Sequence, residues 1–240
     1  MKKDAKFVIY AHRGASEYYP ENTASSFRAG LVMGADGIET DVQRTKDGVL
    51  VLFHDDTLER VTGEPGCVSD YTWEQLSRFT VRNAIYRRED RILPFRDFLE
   101  EFGREPITFA IELKQRGLSA PVVAMLDEYG MQDKAILTSF LYEELADAAA
   151  LTDRYRIGWL YVNTDETTVE KLRAIRACQA CPKAQDISKE DLELLYRNGF
   201  DVRAWGIFDE TIMRRTVEIG VNAGMTVNFP DRLVKYFKEN

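Results

Sequence analysis

The 240-residue chain contains only two histidines, and both lie in its first quarter beside arginine or carboxylates. His12 opens the stretch "HRGASEYYPENT", and His54 follows "IETDVQRTKDGVLVLF" directly ahead of Asp55 and Asp56. A lone histidine is more often structural than catalytic. Two imidazoles about one reacting centre, however, supply a general base and a general acid that both titrate near neutrality. The second set of groups is acidic. Side chains alternate across a strand, so in "GIETDVQ" Glu39 and Asp41 share one face while Ile38, Thr40 and Val42 take the other. "FAIELK" repeats the device, with Glu112 and Lys114 on one face and Ile111 and Leu113 opposite. Buried like charges are costly unless a cation or proton shares them. Glu39, Asp41 and Glu112 therefore suggest a divalent metal, and all-oxygen ligation suits Mg²⁺ or Ca²⁺ better than zinc. Arg13 and Lys114 add positive charge for an anionic substrate. A cation, two histidines, an arginine and a lysine together fit phosphodiester cleavage, in which the positive groups hold the phosphoryl oxygens and the imidazoles move protons.

These residues need a scaffold that gathers strand ends. Short β-rich runs ("FVIYA", "GIETDVQ", "ITFAIELK", "KAILTSF", "RIGWLYV", "DVRAWGI", "NAGMTVNF") alternate with amphipathic stretches such as "ENTASSFRAGLVMG" and "SKEDLELLYRNG". "CQACPKA" reads as a weaker strand because it contains Pro182. Asn22 or Thr23 can cap the first helix, and Gly130, Gly199 and Gly220 each fall where a helix would end in a left-handed glycine. About eight β-α units point to an α/β fold closed as a (β/α)8 TIM barrel, with an open doubly wound sheet as the alternative. In a barrel, His12 and His54 would share the rim at the strand C-termini. The rhythm breaks after the second strand. There Asp47-Gly48 marks a hairpin turn, and a turn-rich stretch follows. The expectation is one domain over residues 1–240 with a small insertion at about 46–105 that lacks enough apolar residues for its own core.

Composition narrows the partners. A net charge of −8 argues against nucleic acid, and no apolar run reaches the ~20 residues that a membrane span requires. The basic start "MKKDAK" precedes an apolar run too short for a signal-peptide core. Cys178 and Cys181 have C-x-x-C spacing without nearby ligands to complete a zinc site. Reduced thiols and a cytoplasmic location are expected. The partner is a small molecule, and the protein a monomer or homodimer.

The stretches "AHRGASEYYPENTASSF", "GADGIETDVQRTKDGVLVLFHDDTLERVTGEPGCVSDYTWEQL", "AIELK", "DVRAWGI" and "TVNFPD" closely resemble the glycerophosphodiester phosphodiesterase family over nearly the whole chain. That resemblance implies a (β/α)8-barrel hydrolase that converts glycerophosphodiesters, such as glycerophosphocholine or glycerophosphoethanolamine, to sn-glycerol 3-phosphate and an alcohol. It implies Glu39, Asp41 and Glu112 as metal ligands, Arg13 and Lys114 on the phosphate, and Trp205 at the substrate mouth. It further implies His12 and His54 as an acid/base pair acting through a cyclic phosphate, with His54 taken as base and His12 as acid in the first step. Asp55 is a candidate to orient an imidazole, and Tyr18, Tyr19 and Phe53 are candidates to line the glycerol side. The chain departs from the family pattern at Asn222, where an acid is usual. Two other readings stand beside this one: a lysophospholipase D or sphingomyelinase-like enzyme acting on lipids, and a non-catalytic barrel that binds a phosphorylated ligand.

Overall fold

The computed structural model describes Lys3 and residues 6–239, so Met1, Lys2, Asp4 and Ala5 of the basic start lie outside the described residues. The chain runs β1 (Val8–His12), α1 (Ala24–Val32), β2 (Gly37–Arg44), β3 (Leu50–Leu52), α2 (Glu59–Thr62), a 3-10 turn (Val68–Asp70) and α3 (Trp73–Leu76). Next come β4 (Thr80–Asn83), β5 (Arg88–Arg91), β6 (Leu93–Pro94), α4 (Phe95–Phe102) and β7 (Thr108–Leu113). A regular alternation follows: α5 (Ser119–Glu128), β8 (Ala135–Ser139), α6 (Tyr142–Leu151), β9 (Arg156–Tyr161), α7 (Glu166–Ala174) and β10 (Gln179–Pro182). It closes with α8 (Lys189–Arg197), β11 (Asp201–Ile207), α9 (Glu210–Glu218), β12 (Gly224–Val227) and α10 (Pro230–Glu239).

Among the described residues, eight parallel strands pair in the order β1-β12-β11-β10-β9-β8-β7-β2, and β2 returns to β1. Every neighbour in that ring is parallel, and each strand but the last is joined to the next through a helix, which is the (β/α)8 barrel and rules out the open sheet. Strand alternation sorts the side chains as expected. Ile38, Val42, Ile111 and Leu113 pack outward against Phe27 of α1 and Phe98 of α4, while Glu39, Asp41 and Glu112 take the inner face. Thr23 caps α1 by accepting from the backbone N–H of Ser26, and Gly130, Gly199 and Gly220 have φ of 64°, 83° and 99° past their helices. Fully burying a side chain such as Phe27 contributes about 1.5–3 kcal/mol, so this outer layer is what holds the staves in place.

Three sequence expectations change. β10 is a full stave that pairs with β9 through Pro182 and with β11 at Gln179 and Ala180. Because proline carries no N–H, pairing with β11 lapses there and resumes at Lys183↔Trp205. The Cys181 carbonyl in this gap accepts the indole N–H of Trp205 at 3.0 Å. The span 46–105 also contained α4, whose Phe95, Phe98 and Phe102 are buried against the barrel; α4 is the helix between β2 and β7. Finally, the excursion before α4 does have apolar contacts of its own. β3 and β6 extend the sheet antiparallel from β2, and Val51, Phe53, Leu58, Val61, Leu76 and Val81 are among the buried residues of a satellite cluster beneath the loops. Those residues are scattered between turns and show no period in the sequence. The Asp47-Gly48 turn forms as expected, with Gly48 at φ 90°.

Candidate active site

The site is assembled by backbone register at the strand C-termini. His12 ends β1 and lies opposite Glu39 on β2, while Asp41 lies opposite Glu112 on β7. The backbone N–H of Phe53 donates to the Asp41 carbonyl at 3.0 Å, which brings the β2–β3 hairpin round and leaves His54 at the same rim. Arg13 follows His12 in a left-handed turn (φ 54°), and its N–H donates to the Glu39 carbonyl at 2.9 Å. Gly14 makes that turn possible. Its φ is +85°, and a Cβ there would lie 2.3 Å from Ser26 Oγ and 2.4 Å from the Ser26 carbonyl carbon.

One oxygen from each of Glu39, Asp41 and Glu112 lies within 4.8 Å of the other two, and all three residues are buried. Burial pushes Glu39 well above the usual carboxylate range, helped by the charges of Asp41 and Glu112. Burial, with Asp41 beside it, pushes Glu112 up to about 7. Burial acts the same way on Asp41, but Arg13, His54, Lys114 and a hydrogen bond from Asn22 outweigh it and hold this carboxyl below its ordinary value. Asn22 Nδ2 donates to Asp41 Oδ2 at 2.9 Å, Arg13 Nε lies 3.3 Å from the same oxygen, and Lys114 Nζ sits 3.0 Å from Glu112 Oε1. Asp41 Oδ1 remains buried with no hydrogen-bond donor among the described residues. A buried carboxylate oxygen without a donor, between two acids forced toward the protonated state, makes an all-oxygen donor set that fits a hard divalent cation.

The two imidazoles are held by different partners. His54 Nδ1 lies 2.6 Å from Asp55 Oδ1, and His12 Nδ1 lies 2.5 Å from the Asn228 side-chain oxygen. An acceptor at Nδ1 fixes the proton there and leaves Nε2 of each ring for chemistry. Burial and the adjacent Arg13 push His12 down to about 3. Burial lowers His54 as well, opposed by Asp41 and by the hydrogen bond to Asp55. Arg60 locks the periphery, with Nε 2.5 Å from Asp55 Oδ2, and Nη1 and Nη2 at 2.8 and 2.7 Å from the Glu21 oxygens. Glu21 in turn accepts from Arg13 at 2.9 Å. Glu21, His54 and Asp55 also cluster closely enough to hold an ion, but Arg60 already supplies the compensating charge there.

A cavity of about 300 Å³ opens over this centre. His12, Arg13, Glu39, His54 and Glu112 line one side, and Phe140, Leu160, Trp205, Gly206 and Phe208 line the other. Asp41 and Lys114 do not line it and stand behind Glu112 and Arg13. Arg203 lies fully buried in the lumen below, donating to Gln179 and Thr226 at 3.0 Å each. His12, Arg13, Glu39, Asp41, His54, Glu112 and Lys114 thus gather at one end of the barrel, with Trp205 on the apolar wall. Tyr18, Tyr19 and Phe53 do not line the cavity: Tyr18 packs on Tyr86, Tyr19 lies under Arg88, and Phe53 belongs to the satellite cluster. Asn222 sits at the opposite end of the barrel, where its Oδ1 accepts from the Val202 N–H at 2.8 Å, so its departure from the acid does not touch the site. The sequence reading missed Asn228, Arg60, Arg203, Phe140 and Phe208. Arg203 had left a signal, since it shares the inward face of "DVRAWGI" with Trp205.

The glycerophosphoryl diester phosphodiesterase family model matches residues 12–232. A glycerophosphodiester phosphodiesterase of Bacillus altitudinis is 30% identical over 96% of this chain and 98% of its own length. That of Caldanaerobacter subterraneus subsp. tengcongensis is 29% identical over 98% and 99%. Among solved structures, a putative glycerophosphoryl diester phosphodiesterase of Agrobacterium tumefaciens superposes with a TM-score of 0.88 at 20% identity, covering 98% of each chain. An Oleispira antarctica phosphodiesterase, solved in complex with the product sn-glycerol-3-phosphate, also gives 0.88, at 24% identity over 96% of each chain. At these identities the superpositions establish the shared barrel.

Proposed function

The chain belongs to the glycerophosphoryl diester phosphodiesterase family, and on that premise we propose the following for its own residues. The enzyme hydrolyses glycerophosphodiesters such as glycerophosphocholine and glycerophosphoethanolamine to sn-glycerol 3-phosphate and an alcohol. The observation that carries the reading is the convergence of two histidines, each tied through Nδ1, on one cavity wall with the three-carboxylate cluster.

Glu39, Asp41 and Glu112 hold one divalent cation, Mg²⁺ or Ca²⁺. When bound, that ion supplies positive charge to the phosphoryl oxygens as bond order at phosphorus changes. Arg13 lines the cavity and contacts the phosphate directly. Lys114, paired to Glu112, offsets the acids and adds positive charge behind the phosphate. The glycerol 2-hydroxyl attacks phosphorus while one histidine takes its proton and the other protonates the departing oxygen. Water then opens the cyclic phosphate with the roles exchanged, so one water is consumed per diester. His54, backed at Nδ1 by the Asp55 carboxylate, is the base in the first step, and His12, backed by the Asn228 amide, is the acid, the order that the resemblance implies. Trp205 forms part of the wall that receives the substrate.

This chemistry takes place in one barrel domain spanning 1–240, monomeric or homodimeric, acting on a small-molecule substrate. No helix among the described residues is long and apolar enough to cross a membrane. The unbridged Cys67, Cys178 and Cys181 support a cytoplasmic setting. His12→Ala and His54→Ala should each abolish release of sn-glycerol 3-phosphate from glycerophosphocholine while the unfolding transition persists. Near-full activity in both would remove the acid/base assignment.

A further inference from the structure

The two walls of the cavity differ in chemistry. The wall bearing His12, Arg13 and His54 is charged and rich in hydrogen-bonding groups, whereas Phe140, Leu160, Trp205 and Phe208 make the other largely apolar; Arg203 and Thr226 also line the cavity, and the Arg203 guanidinium is bound to Gln179 and Thr226. Trp205 looks like an exception, but its indole N–H is already committed to the carbonyls of Tyr161 (3.2 Å) and Cys181 (3.0 Å). What the ring offers the cavity is therefore its π surface. Phe140 stands edge-on to Trp205 with centroids 4.9 Å apart, and Gly206 adds no side chain between Trp205 and Phe208. Phe140 and Phe208 are 43% and 60% exposed, so neither is consumed by the core. The nearby cation Lys183 has its Nζ 3.4 Å from Asp186.

The attacking 2-hydroxyl belongs to the glycerol arm and has to reach a histidine, which sends that arm to the polar wall. The alcohol arm then lies against the aromatic wall. An ethanolamine ammonium or a polyol brought there would give up water without gaining a partner, and an unsatisfied polar group costs about 1–3 kcal/mol. A trimethylammonium group has no N–H to satisfy and spreads its charge over methyl groups, which aromatic faces attract. On the phosphodiesterase reading above, we propose that Phe140, Trp205 and Phe208 recognise a quaternary ammonium, so that the preferred head group is phosphocholine. The same head group occurs on glycerophosphocholine and on lysophosphatidylcholine.

The test is kcat/KM for the full chain with Mg²⁺ on glycerophosphocholine, glycerophosphoethanolamine, the neutral 3,3-dimethylbutyl glycerophosphodiester and lysophosphatidylcholine. The choline diester should exceed both the ethanolamine and the neutral diester by roughly tenfold. In Phe140→Leu and Phe208→Leu, which keep apolar volume and lose the ring, the choline-to-ethanolamine ratio should fall toward one. Turnover of lysophosphatidylcholine in place of glycerophosphocholine would make the lipid the source of the same head group. Equal rates on choline and ethanolamine diesters, equal rates on the choline and neutral diesters, or a ratio unmoved in both variants would each overturn the proposal. Hydrolysis of none of these diesters would instead bring down the phosphodiesterase reading itself.

Discussion

Replacing Glu112 by glutamine in the chelated protein should stabilise the fold at alkaline pH and leave it unchanged in acid. The sign follows from the direction of the shift. Glu112 is pushed up from 4.5 to about 7 by burial and by Asp41. Below the unfolded value the carboxyl is protonated in both states and costs nothing. As pH rises through the folded value, the native state must either keep its proton or ionise in place, and the unfolded chain has neither burden. The gap from 4.5 to about 7 converts to about 3 kcal/mol at ~1.4 kcal/mol per pH unit. For a chain of this size that corresponds to roughly 6–12 °C in Tm. Glutamine retains an oxygen for Lys114 Nζ, now 3.0 Å from Glu112 Oε1, so the variant isolates the charge. Asp41 is lowered and titrates below this window, the two histidines are common to both proteins, and Glu39, which the charge of Glu112 helps to push up, is relieved in the variant and adds to the difference with the same sign. The assay is denaturant or thermal unfolding of wild type and Glu112→Gln in EDTA from pH 4.5 to 8.5, repeated with Mg²⁺ or Ca²⁺. The variant should match wild type near pH 4.5 and exceed it by about 3 kcal/mol or more above pH 7, and added ion should restore wild type more than the variant. A pH-independent difference, a less stable variant at pH 8 in EDTA, or equal stabilisation of both proteins by metal would refute the reasoning.

The acid/base order can be read with a p-nitrophenyl glycerophosphodiester, whose leaving group needs no proton. His12→Ala should release p-nitrophenol and accumulate cyclic glycerophosphate, whereas His54→Ala should release neither; the opposite pattern reverses the order. Asn228→Ala removes the acceptor at His12 Nδ1, and kcat should drop roughly tenfold to hundredfold with KM little changed. Unchanged kcat would show that the amide does not orient the ring. Gly14→Ala should cost at least about 2 kcal/mol in denaturant unfolding, because the position combines φ +85° with a backbone clash against Ser26. A neutral result would mean that the turn after β1 relaxes freely.

Much of this architecture was legible because it is periodic. The alternation of Glu39 and Asp41 with Ile38, Thr40 and Val42 told the inner face from the outer, and the same pattern around Glu112 placed the third acid. The Asp47-Gly48 turn brought His54 back to the rim, and the adjacent Asp55 proved to be its partner. The hidden parts are single residues on irregular backbone. Asn228, Phe140 and Phe208 each lie just past the end of a strand, where no period marks a side chain as pointing inward. Arg60 sits in the four-residue α2 and joins the nearby Asp55 to Glu21, which is 39 residues away. The helix α4 was masked for another reason: its buried phenylalanines follow a turn-rich excursion, so its barrel face reads as part of that excursion.

The central claim is that this chain cleaves glycerophosphodiesters through a cation held by Glu39, Asp41 and Glu112. Its most direct test is sn-glycerol 3-phosphate release from glycerophosphocholine by protein stripped with EDTA and then titrated with Mg²⁺ or Ca²⁺. Release should vanish on stripping and return with one of the two ions. Release undiminished by thorough chelation, or absent with either ion, would contradict it.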